Sequence, residues 1–305
     1  MSQLTLGILT FNNGVYLPIL LESLKSQTDS EFKIIIINNG STDNTISILE
    51  NFSRLLENQD IRVIHNKFNS GSFRGVQQLL KQTETDYLSI IHGDDVLKND
   101  YVEVAKFYAK TNPQKAAFNL DLEQIDSEGK QTFEPNLTSG WTNFSLINRL
   151  LVSGLNPGVM PGSILNVKLL GNDYLDNFFD GEKLNGTEDI YLWLKIARDS
   201  REIKRIPKAT YQYRRHVGQV SKNREIYAFS LGYVRRLNYI TSSNLVDKFL
   251  AIIEIDFEFS SVNYSDSYLD GLDFLIKYRH FSRFRFINVF LRRSIRFINP
   301  VMPHK

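Results

Sequence analysis

The sequence predicts an α/β protein built on a mostly parallel sheet flanked by helices. Segments with strand and helix patterns alternate along the first 120 residues, at a spacing typical of parallel α/β folds. The strand segments are short and almost wholly apolar, as expected of parallel strands that are covered on both faces. Polar residues and turn formers follow several strands, which predicts ligand-binding loops at one edge of the sheet.

Hydrophobic periodicity defines the individual elements. Leucines recur at helical spacing in 15–27, whereas 32–37 is an isoleucine-rich run, which is the pattern of a buried strand. The loop that follows is rich in turn formers, and its Asp43 is a residue type that caps helices. The predicted strands are 4–9, 32–37, 61–64, 87–91 and 116–120, and the predicted helices are 15–27, 46–56, 76–81 and 102–109.

The second half of the chain has a less regular pattern. Between 122 and 215 one amphipathic helix begins at Glu188, and turn formers interrupt much of the rest. After residue 221 the sequence is aromatic-rich with a helical pattern. We therefore expect one domain at 1–220 and a helical C-terminal region at 221–305.

Composition limits the chemistry and the environment of the protein. The 305 residues include no cysteine, so disulfides and thiolate chemistry are excluded. The N-terminus has no signal-peptide pattern, and no apolar run reaches the ~18 residues of a transmembrane helix. These features favour a cytoplasmic protein.

Four polar residues fall at the predicted carboxyl ends of strands: Thr10, Asn12, Asn38 and Asp94. Ligands of open α/β sheets bind beyond these strand ends, so the four positions predict a crevice that fits a nucleotide. The sequence has no Walker A motif, and the glycines at 71 and 75 lack the spacing of a dinucleotide fingerprint.

Two adjacent acids, Asp94 and Asp95, follow the apolar strand at 87–91. They have two interpretations. Aspartate caps helices, so the pair fits the start of the next helix. Charged groups at the end of a buried strand also need compensation, which a divalent cation bound to a diphosphate supplies.

Five segments taken in order resemble the family 2 glycosyltransferases. They are TFNN at 10–13, INNGSTDNT at 37–45, HGDDVL at 92–97, GTEDIYLWLKIA at 186–197 and YRRHVGQVS at 213–221. The resemblance covers about residues 3–221. It implies the GT-A fold, a Rossmann-like sheet, and an enzyme that moves a sugar from a nucleotide diphosphate sugar with inversion at the anomeric carbon.

The resemblance also implies roles for residues at the donor site. Thr10 and Asn12 match the loop that holds the nucleotide. Asn38 stands where the family normally has an aspartate that reads the pyrimidine imide; its oxygen still accepts a hydrogen bond, so the identity of the base stays open. His92 replaces the first acid of the usual Asp-x-Asp-Asp motif, either as a ribose contact or as a structural residue.

The metal position of that motif falls on Asp94, and Asp95 is a further donor-site candidate. Mn²⁺ or Mg²⁺ suits carboxylate and phosphate oxygens. His216 matches a histidine that completes the metal shell or contacts the diphosphate in some relatives. The arginines at 74, 214 and 215 are weaker candidates for phosphate contacts.

The segment containing Glu188 and Asp189 matches the part of the family that carries the catalytic base. In an inverting displacement, the acceptor hydroxyl loses its proton as it attacks, and a nearby carboxylate takes that proton. Asp189 is the candidate base and Glu188 a candidate participant. The two acids also suit the N-terminus of a helix without any catalytic role.

The C-terminal tail is basic and amphipathic. From 274 to 305 it has eight lysines and arginines and no acid. Its apolar residues share one side of a predicted helix and its arginines the other, which fits either an anionic membrane surface or packing against the protein. Membrane contact would make this a peripheral protein on the inner face of the membrane. It would bring the active site to a lipid-linked acceptor. Nucleic-acid binding is not expected, because no base-reading module accompanies the charges.

The sequence therefore favours a metal-dependent glycosyltransferase that uses a nucleotide-sugar donor, most simply a UDP-sugar, and a glycan or lipid-linked acceptor in surface polysaccharide biosynthesis. One alternative is an inactive binding or scaffold subunit, because Asn38 and His92 depart from the family pattern. A nucleotidyltransferase is the second alternative, but residues 10–14 offer no basic side chain to grip phosphates.

Overall fold

A computed structural model describes residues 4–55, 60–133, 160–176, 188–199 and 201–219. All of them belong to one unit of the chain. The described strands are β1 (Leu4–Thr10), β2 (Lys33–Asn38), β3 (Ile61–His65), β4 (Tyr87–His92), β5 (Val96–Leu97), β6 (Ala117–Ile125), β7 (Gln131–Phe133), β8 (Ile164–Asn166) and β9 (Ile203–Arg214). The described helices are α1 (Leu17–Lys25), α2 (Thr45–Leu55), α3 (Ser72–Gln82), α4 (Tyr101–Thr111), α5 (Val167–Leu170) and α6 (Glu188–Arg198).

The described strands form one mixed sheet in the order β3-β2-β1-β4-β8-β6-β9-β5, with β7 paired to β6. The first four strands are parallel, so their carboxyl ends lie at one edge. The short strand β8 runs antiparallel to both β4 and β6 and joins the two halves of the sheet. The predicted parallel sheet is therefore present at the N-terminal side, and the sheet as a whole mixes both directions.

The core lies on both faces of the parallel strands. All seven residues of β1 and the four isoleucines of β2 are buried, which explains the apolar run of β2 and the alternation of apolar and small residues in β1. Helix α1 buries its leucines against the sheet. Its second residue is Pro18, and the missing N–H of proline breaks no helical hydrogen bond in the first turn. Burial on both faces fixes the strands that position the loops at the carboxyl edge.

The sequence-based elements up to residue 120 are all present, with small shifts at their ends. Helix α3 begins at Ser72, four residues before the predicted start, because the polar first turn hid its periodicity. Strand β9 was missed. Its charged residues, including the half-buried Lys204 and the exposed Lys208, obscure the alternation. The strand nevertheless pairs in parallel with β6 over most of its length.

Several expectations lie outside the described residues. These are the domain boundary near 221, the helical region at 221–305 with its basic tail, and most of the irregular segment from 134 to 159. Within the part of the chain that the structure describes, no helix is long and apolar enough to span a membrane.

Candidate active site

The candidate site lies at the carboxyl edge of β2, β1 and β4, three neighbouring parallel strands. Thr10 at the end of β1 is in register with Asn38 of β2, and Leu9 is in register with His92 of β4. The loops that follow these strands therefore start side by side, as expected for ligand-binding loops of an open α/β sheet.

Thr10 stabilises the loop that follows β1. Its hydroxyl donates to Asn13 Oδ1 over 3.1 Å, and its side chain is buried. Gly93 lies directly against it: a Cβ at Gly93 would come within 2.6 Å of Thr10 Oγ1. Thr10 thus positions the loop that the sequence predicted to hold the nucleotide, with little surface of its own for a ligand.

Asn12 joins the first loop to the second. It is exposed, has a positive φ of 52°, accepts from the backbone N–H of Thr42 over 2.8 Å and donates its own N–H to Ser41 Oγ over 2.9 Å. Asp43 accepts from the N–H of Thr45 at the start of α2 and from that of Gly14. The prediction that Asp43 caps α2 is confirmed, and the same carboxylate also links the two loops.

Asn38 is buried with both ends of its amide in use. Its Oδ1 accepts from the backbone N–H of Ser41 over 3.1 Å, and its Nδ2 lies 3.0 Å from His65 Nδ1. Only 1% of Asn38 is exposed. The predicted direct contact between Asn38 and the base therefore lacks an accessible atom, whereas His65 is exposed beside it.

Asp94 and His216 form the central pair of the site. His216 Nε2 lies 2.9 Å from Asp94 Oδ2, and both side chains are largely buried. The backbone N–H of Gly218 donates to His216 Nδ1, so Nε2 carries the proton of the neutral ring and donates it to Asp94. The structure therefore joins the two residues that the sequence predicted to bind a metal, although they are 122 positions apart.

Asp94 is held in its ionised form. Burial by itself raises the pKa of the Asp94 carboxyl, but the hydrogen bond from His216 and the nearby His92 outweigh burial, so the pKa lies below its ordinary value. An ionised carboxylate next to imidazole nitrogen is a suitable donor set for a divalent transition-metal cation.

Asp95 has a different environment and supports the site from within. It is fully buried; its Oδ2 accepts from the Tyr211 hydroxyl over 2.6 Å and its Oδ1 from the backbone N–H of Arg214 over 2.8 Å. Burial and the neighbouring Asp94 charge raise the pKa of Asp95 well above its ordinary value. Asp95 thus ties the end of β4 to β9, and its predicted contact with the donor has no exposed atom to make it.

Arg214 is the last residue of β9 and is 1% exposed. Its Nε donates to the backbone carbonyl of Asp94 over 2.7 Å, and its guanidinium also donates to the carbonyls of Asp126 and Ser127. The guanidinium carbon lies 4.8 Å from the centre of the Tyr16 ring. These contacts use Nε and Nη1 and hold the guanidinium inside the protein, so they favour a structural role for Arg214 over the suggested contact with phosphate.

Tyr16 connects this arrangement to the first loop. Its ring centre lies 4.9 Å from that of His216, and the guanidinium of Arg214 makes a cation–π contact with the ring. Because Tyr16 precedes α1, the aromatic ring couples the loop after β1 to the residues at the end of β9.

The ligand atoms of His92, Asp94 and Asp95 lie within 4.8 Å of one another, and among the described residues they form a group that could hold a metal ion. His92 Nε2 is buried and has no hydrogen-bond partner among the described residues. A bound cation, or an oxygen atom of a bound nucleotide sugar, would give it one. The residues present therefore fit a divalent cation, with His92, Asp94 and Asp95 as the candidate ligand group.

The remaining predicted residues lie on helices, except for Arg215, which directly follows β9 and is exposed. Arg74 is in the first turn of α3 and donates to Gln77 Oε1 over 2.9 Å. Glu188, which is buried, and the half-buried Asp189 begin α6. The rings of Phe73 and Tyr191 meet at 5.7 Å, so α6 packs against the start of α3.

Sequence reasoning missed Tyr16, His65 and Tyr211. Each is a single aromatic or imidazole side chain in a loop or strand without a distinctive pattern. Their contacts cross between strands or join loops that are distant in the sequence. No local sequence pattern therefore identifies these residues, and only the folded structure does.

Comparison with known proteins identifies the class. Residues 5–150, just under half of the chain, match the model described as glycosyl transferase family 2. This region contains β1 to β6 and the first three of the five resembling segments, so the match confirms the resemblance for this part of the chain.

Two curated relatives agree with this assignment. A glycosyltransferase of Haemophilus influenzae is 26% identical over 217 residues, covering 70% of this chain and 66% of the relative. A poly-beta-1,6-N-acetyl-D-glucosamine synthase of Staphylococcus epidermidis is 33% identical over 101 residues, covering 32% of this chain and 23% of the relative. The chain thus spans less than two thirds of the length of either relative.

Solved structures show that the fold is GT-A. S. aureus TarS 1–349 in complex with UDP-GlcNAc aligns with a TM-score of 0.63 at 18% identity, over 94% of this chain and 79% of that one. The mannosyltransferase PcManGT from Pyrobaculum calidifontis, in complex with GDP-Man and Mn²⁺, aligns with a TM-score of 0.59 at 11% identity, over 99% and 88% of the two chains.

Replacing Tyr211 by phenylalanine should lower the free energy of unfolding by about 1–3 kcal/mol, because the His92 N–H and Asp95 Oδ2 both lose a buried partner. Urea denaturation measures this change. Tyr108→Phe is the matched control, since the described contacts give the Tyr108 hydroxyl no hydrogen bond. Equal stability of the two variants would contradict a structural role for the Tyr211 hydroxyl.

Proposed function

We propose that this protein is a metal-dependent inverting glycosyltransferase that takes its sugar from a nucleotide diphosphate sugar, most simply a UDP-sugar. The observation that carries the proposal is the buried Asp94–His216 pair at the carboxyl end of β4, beside the loops after β1 and β2. Family membership and the GT-A fold support the reaction class.

Asp94 and His216 would hold the cation, with His92 close by. When bound, a divalent cation neutralises the negative charge that develops on the departing diphosphate. The structure suits Asp94 to this role, because its carboxylate is ionised and its backbone carbonyl accepts a hydrogen bond from Arg214 Nε. To bind a cation through Nε2, the neutral His216 imidazole would have to move its proton to Nδ1 and give up the hydrogen bond from the Gly218 N–H.

Asp189 is the proposed catalytic base. It is half-buried in the first turn of α6, so it combines access to a ligand with a fixed backbone. Its Oδ1 accepts from the N–H of Ile190, which helps to orient the carboxylate, and a carboxylate is the type of group that takes a proton from an acceptor hydroxyl. Glu188 is more deeply buried and is proposed to position the start of the helix.

Surface polysaccharide biosynthesis is the proposed setting. The curated relatives include a poly-beta-1,6-N-acetyl-D-glucosamine synthase and a teichoic acid poly(glycerol phosphate) polymerase, both from Staphylococcus epidermidis. The TarS structure was solved with UDP-GlcNAc and the PcManGT structure with GDP-Man, so both uridine and guanosine donors occur on this fold. A glycan or a lipid-linked acceptor fits this setting.

An inactive scaffold subunit is the second candidate, favoured by Asn38 and His92 at positions where the family has acids. The buried, ionised Asp94 next to His216 argues against it, because an unused buried charge is costly to keep.

Asp94→Asn should weaken metal-dependent nucleotide binding. Wild-type protein is expected to bind UDP or GDP more tightly with Mn²⁺ than without it, and the variant should lose most of this gain, on the order of tenfold or more. Isothermal titration calorimetry measures both affinities, and Glu22→Gln, an exposed change on α1, is the control. A metal effect of full size in Asp94→Asn would contradict the proposed metal site.

Asp189→Asn should lower the turnover number by roughly 10²–10⁴-fold, because amide nitrogen cannot take the proton of the acceptor hydroxyl. Donor affinity should stay within about twofold of wild type, since the change is isosteric. Sugar transfer with the best donor found by calorimetry gives the rate. Retained turnover would refute the assignment of Asp189 as the base.

Deleting residues 277–305 should reduce co-sedimentation with anionic vesicles if the basic tail contacts a membrane, because the deleted segment carries eight positive charges. Vesicles of neutral lipid serve as the control. Unchanged binding to anionic vesicles after the deletion would rule out membrane contact through the tail.

A further inference from the structure

The hydrogen bonds around Asn38 determine which nitrogen of His65 carries the ring proton. The backbone N–H of Ser41 is necessarily a donor, and it lies 3.1 Å from one end of the Asn38 amide, which identifies that end as the oxygen. The other end is therefore the NH₂ group, and it lies 3.0 Å from His65 Nδ1. Because NH₂ only donates, Nδ1 accepts, and the proton of the neutral imidazole is on Nε2.

This Nε2–H group is available to a ligand. His65 is exposed at the end of the edge strand β3, and in the described ranges its imidazole makes no other hydrogen bond. The ring is nevertheless fixed in orientation by Asn38, which is buried and held by Ser41. An oriented donor on an exposed ring is a feature of a recognition residue, because it loses little conformational freedom on binding.

The position of His65 suits the base of a donor nucleotide, a step that rests on the proposed function. His65 is in register with Asn38, and the strand order from the edge is β3-β2-β1-β4. Parallel strands are about 4.8 Å apart, so the ends of β3 and β4 are separated by about 14 Å along the edge of the sheet. An extended nucleoside diphosphate covers a similar length, so a diphosphate held at Asp94 would direct its base toward β2 and β3.

We propose that His65 is a specificity-determining residue of the donor site, which reads a carbonyl oxygen of the nucleobase through its Nε2–H. Asn38 is a positioning residue that selects this tautomer. The pair therefore favours bases with a ring carbonyl, such as uracil and guanine, over adenine, which has none.

The asparagine at position 38 is essential to this assignment. An aspartate there would present an acceptor to Nδ1, so a neutral His65 would carry its proton on Nδ1 and offer Nε2 as an acceptor. This chain has Asn38 where the family usually has an acid. With that change, His65 becomes the side chain that contacts the base.

Two neutral variants of His65 test the proposal. The amide nitrogen of His65→Gln reaches the position of Nε2, whereas that of His65→Asn reaches only the position of Nδ1. The probes are UDP, GDP, ADP and ribose 5-diphosphate, titrated with Mn²⁺ into the full chain by calorimetry. Ribose 5-diphosphate has no base and reports the diphosphate and ribose contacts alone.

Wild-type protein should bind UDP or GDP about tenfold more tightly than ADP, as expected for one oriented hydrogen bond. For the preferred nucleotide, His65→Asn should weaken binding about tenfold and His65→Gln by less than about threefold. All three proteins should bind ribose 5-diphosphate equally. ¹⁵N NMR of the wild-type imidazole should place the proton on Nε2.

Undiminished binding of the preferred nucleotide by His65→Asn would overturn the proposal, and so would an equal loss for ribose 5-diphosphate. A proton on Nδ1 in the NMR spectrum would overturn the tautomer assignment and the proposal with it. These results leave the proposed function intact as long as wild-type protein binds a nucleotide with Mn²⁺. Failure of wild-type protein to bind any of the four probes would instead reject the proposed function, and His65 recognition with it.

Discussion

The site depends on the buried guanidinium of Arg214. Burying a charge is costly unless it is hydrogen-bonded, and Arg214 donates from Nε and Nη1 to the carbonyls of Asp94, Asp126 and Ser127 and lies over the ring of Tyr16. Because its backbone N–H also donates to Asp95, one residue holds both acids of the β4 loop. His216 follows two positions later, so fixing Arg214 also fixes the imidazole that faces Asp94.

The two adjacent acids have opposite tasks, which their environments explain. Asp95 lies under the loop with a raised pKa and joins β4 to β9 through Tyr211 and Arg214. Asp94 has a lowered pKa, and its Oδ2 lies 2.9 Å from His216 Nε2. Neighbouring carboxyl groups with pKa values moved in opposite directions commonly divide structural and chemical roles in this way. The capping interpretation is wrong for the described contacts, because β5 follows the pair, Asp100 precedes α4, and Asp95 accepts its hydrogen bonds from β9.

The sequence was sufficient for the parallel half of the fold because burial on both faces leaves a strong local pattern, as in the isoleucines of β2. It also identified Asp94 and His216, since both fall in recognisable motifs. Strand β9 could not be predicted, because its half-buried residues carry long charged side chains. The roles of Asn38, Asp95 and Arg214 depend on partners 27 to 120 positions away, which no local pattern reveals. What remains a prediction is the metal-binding role of Asp94 and His216, the catalytic function of Asp189 and the action of the tail.

The most direct test of the metal site is pulsed electron paramagnetic resonance of Mn²⁺ bound to the protein together with UDP or GDP. If Asp94 and His216 hold the cation, the spectrum should show coupling to an imidazole nitrogen, and His216→Asn should remove or strongly reduce this coupling. A Mn²⁺ spectrum without nitrogen coupling, or one that His216→Asn leaves unchanged, would contradict the Asp94–His216 metal site.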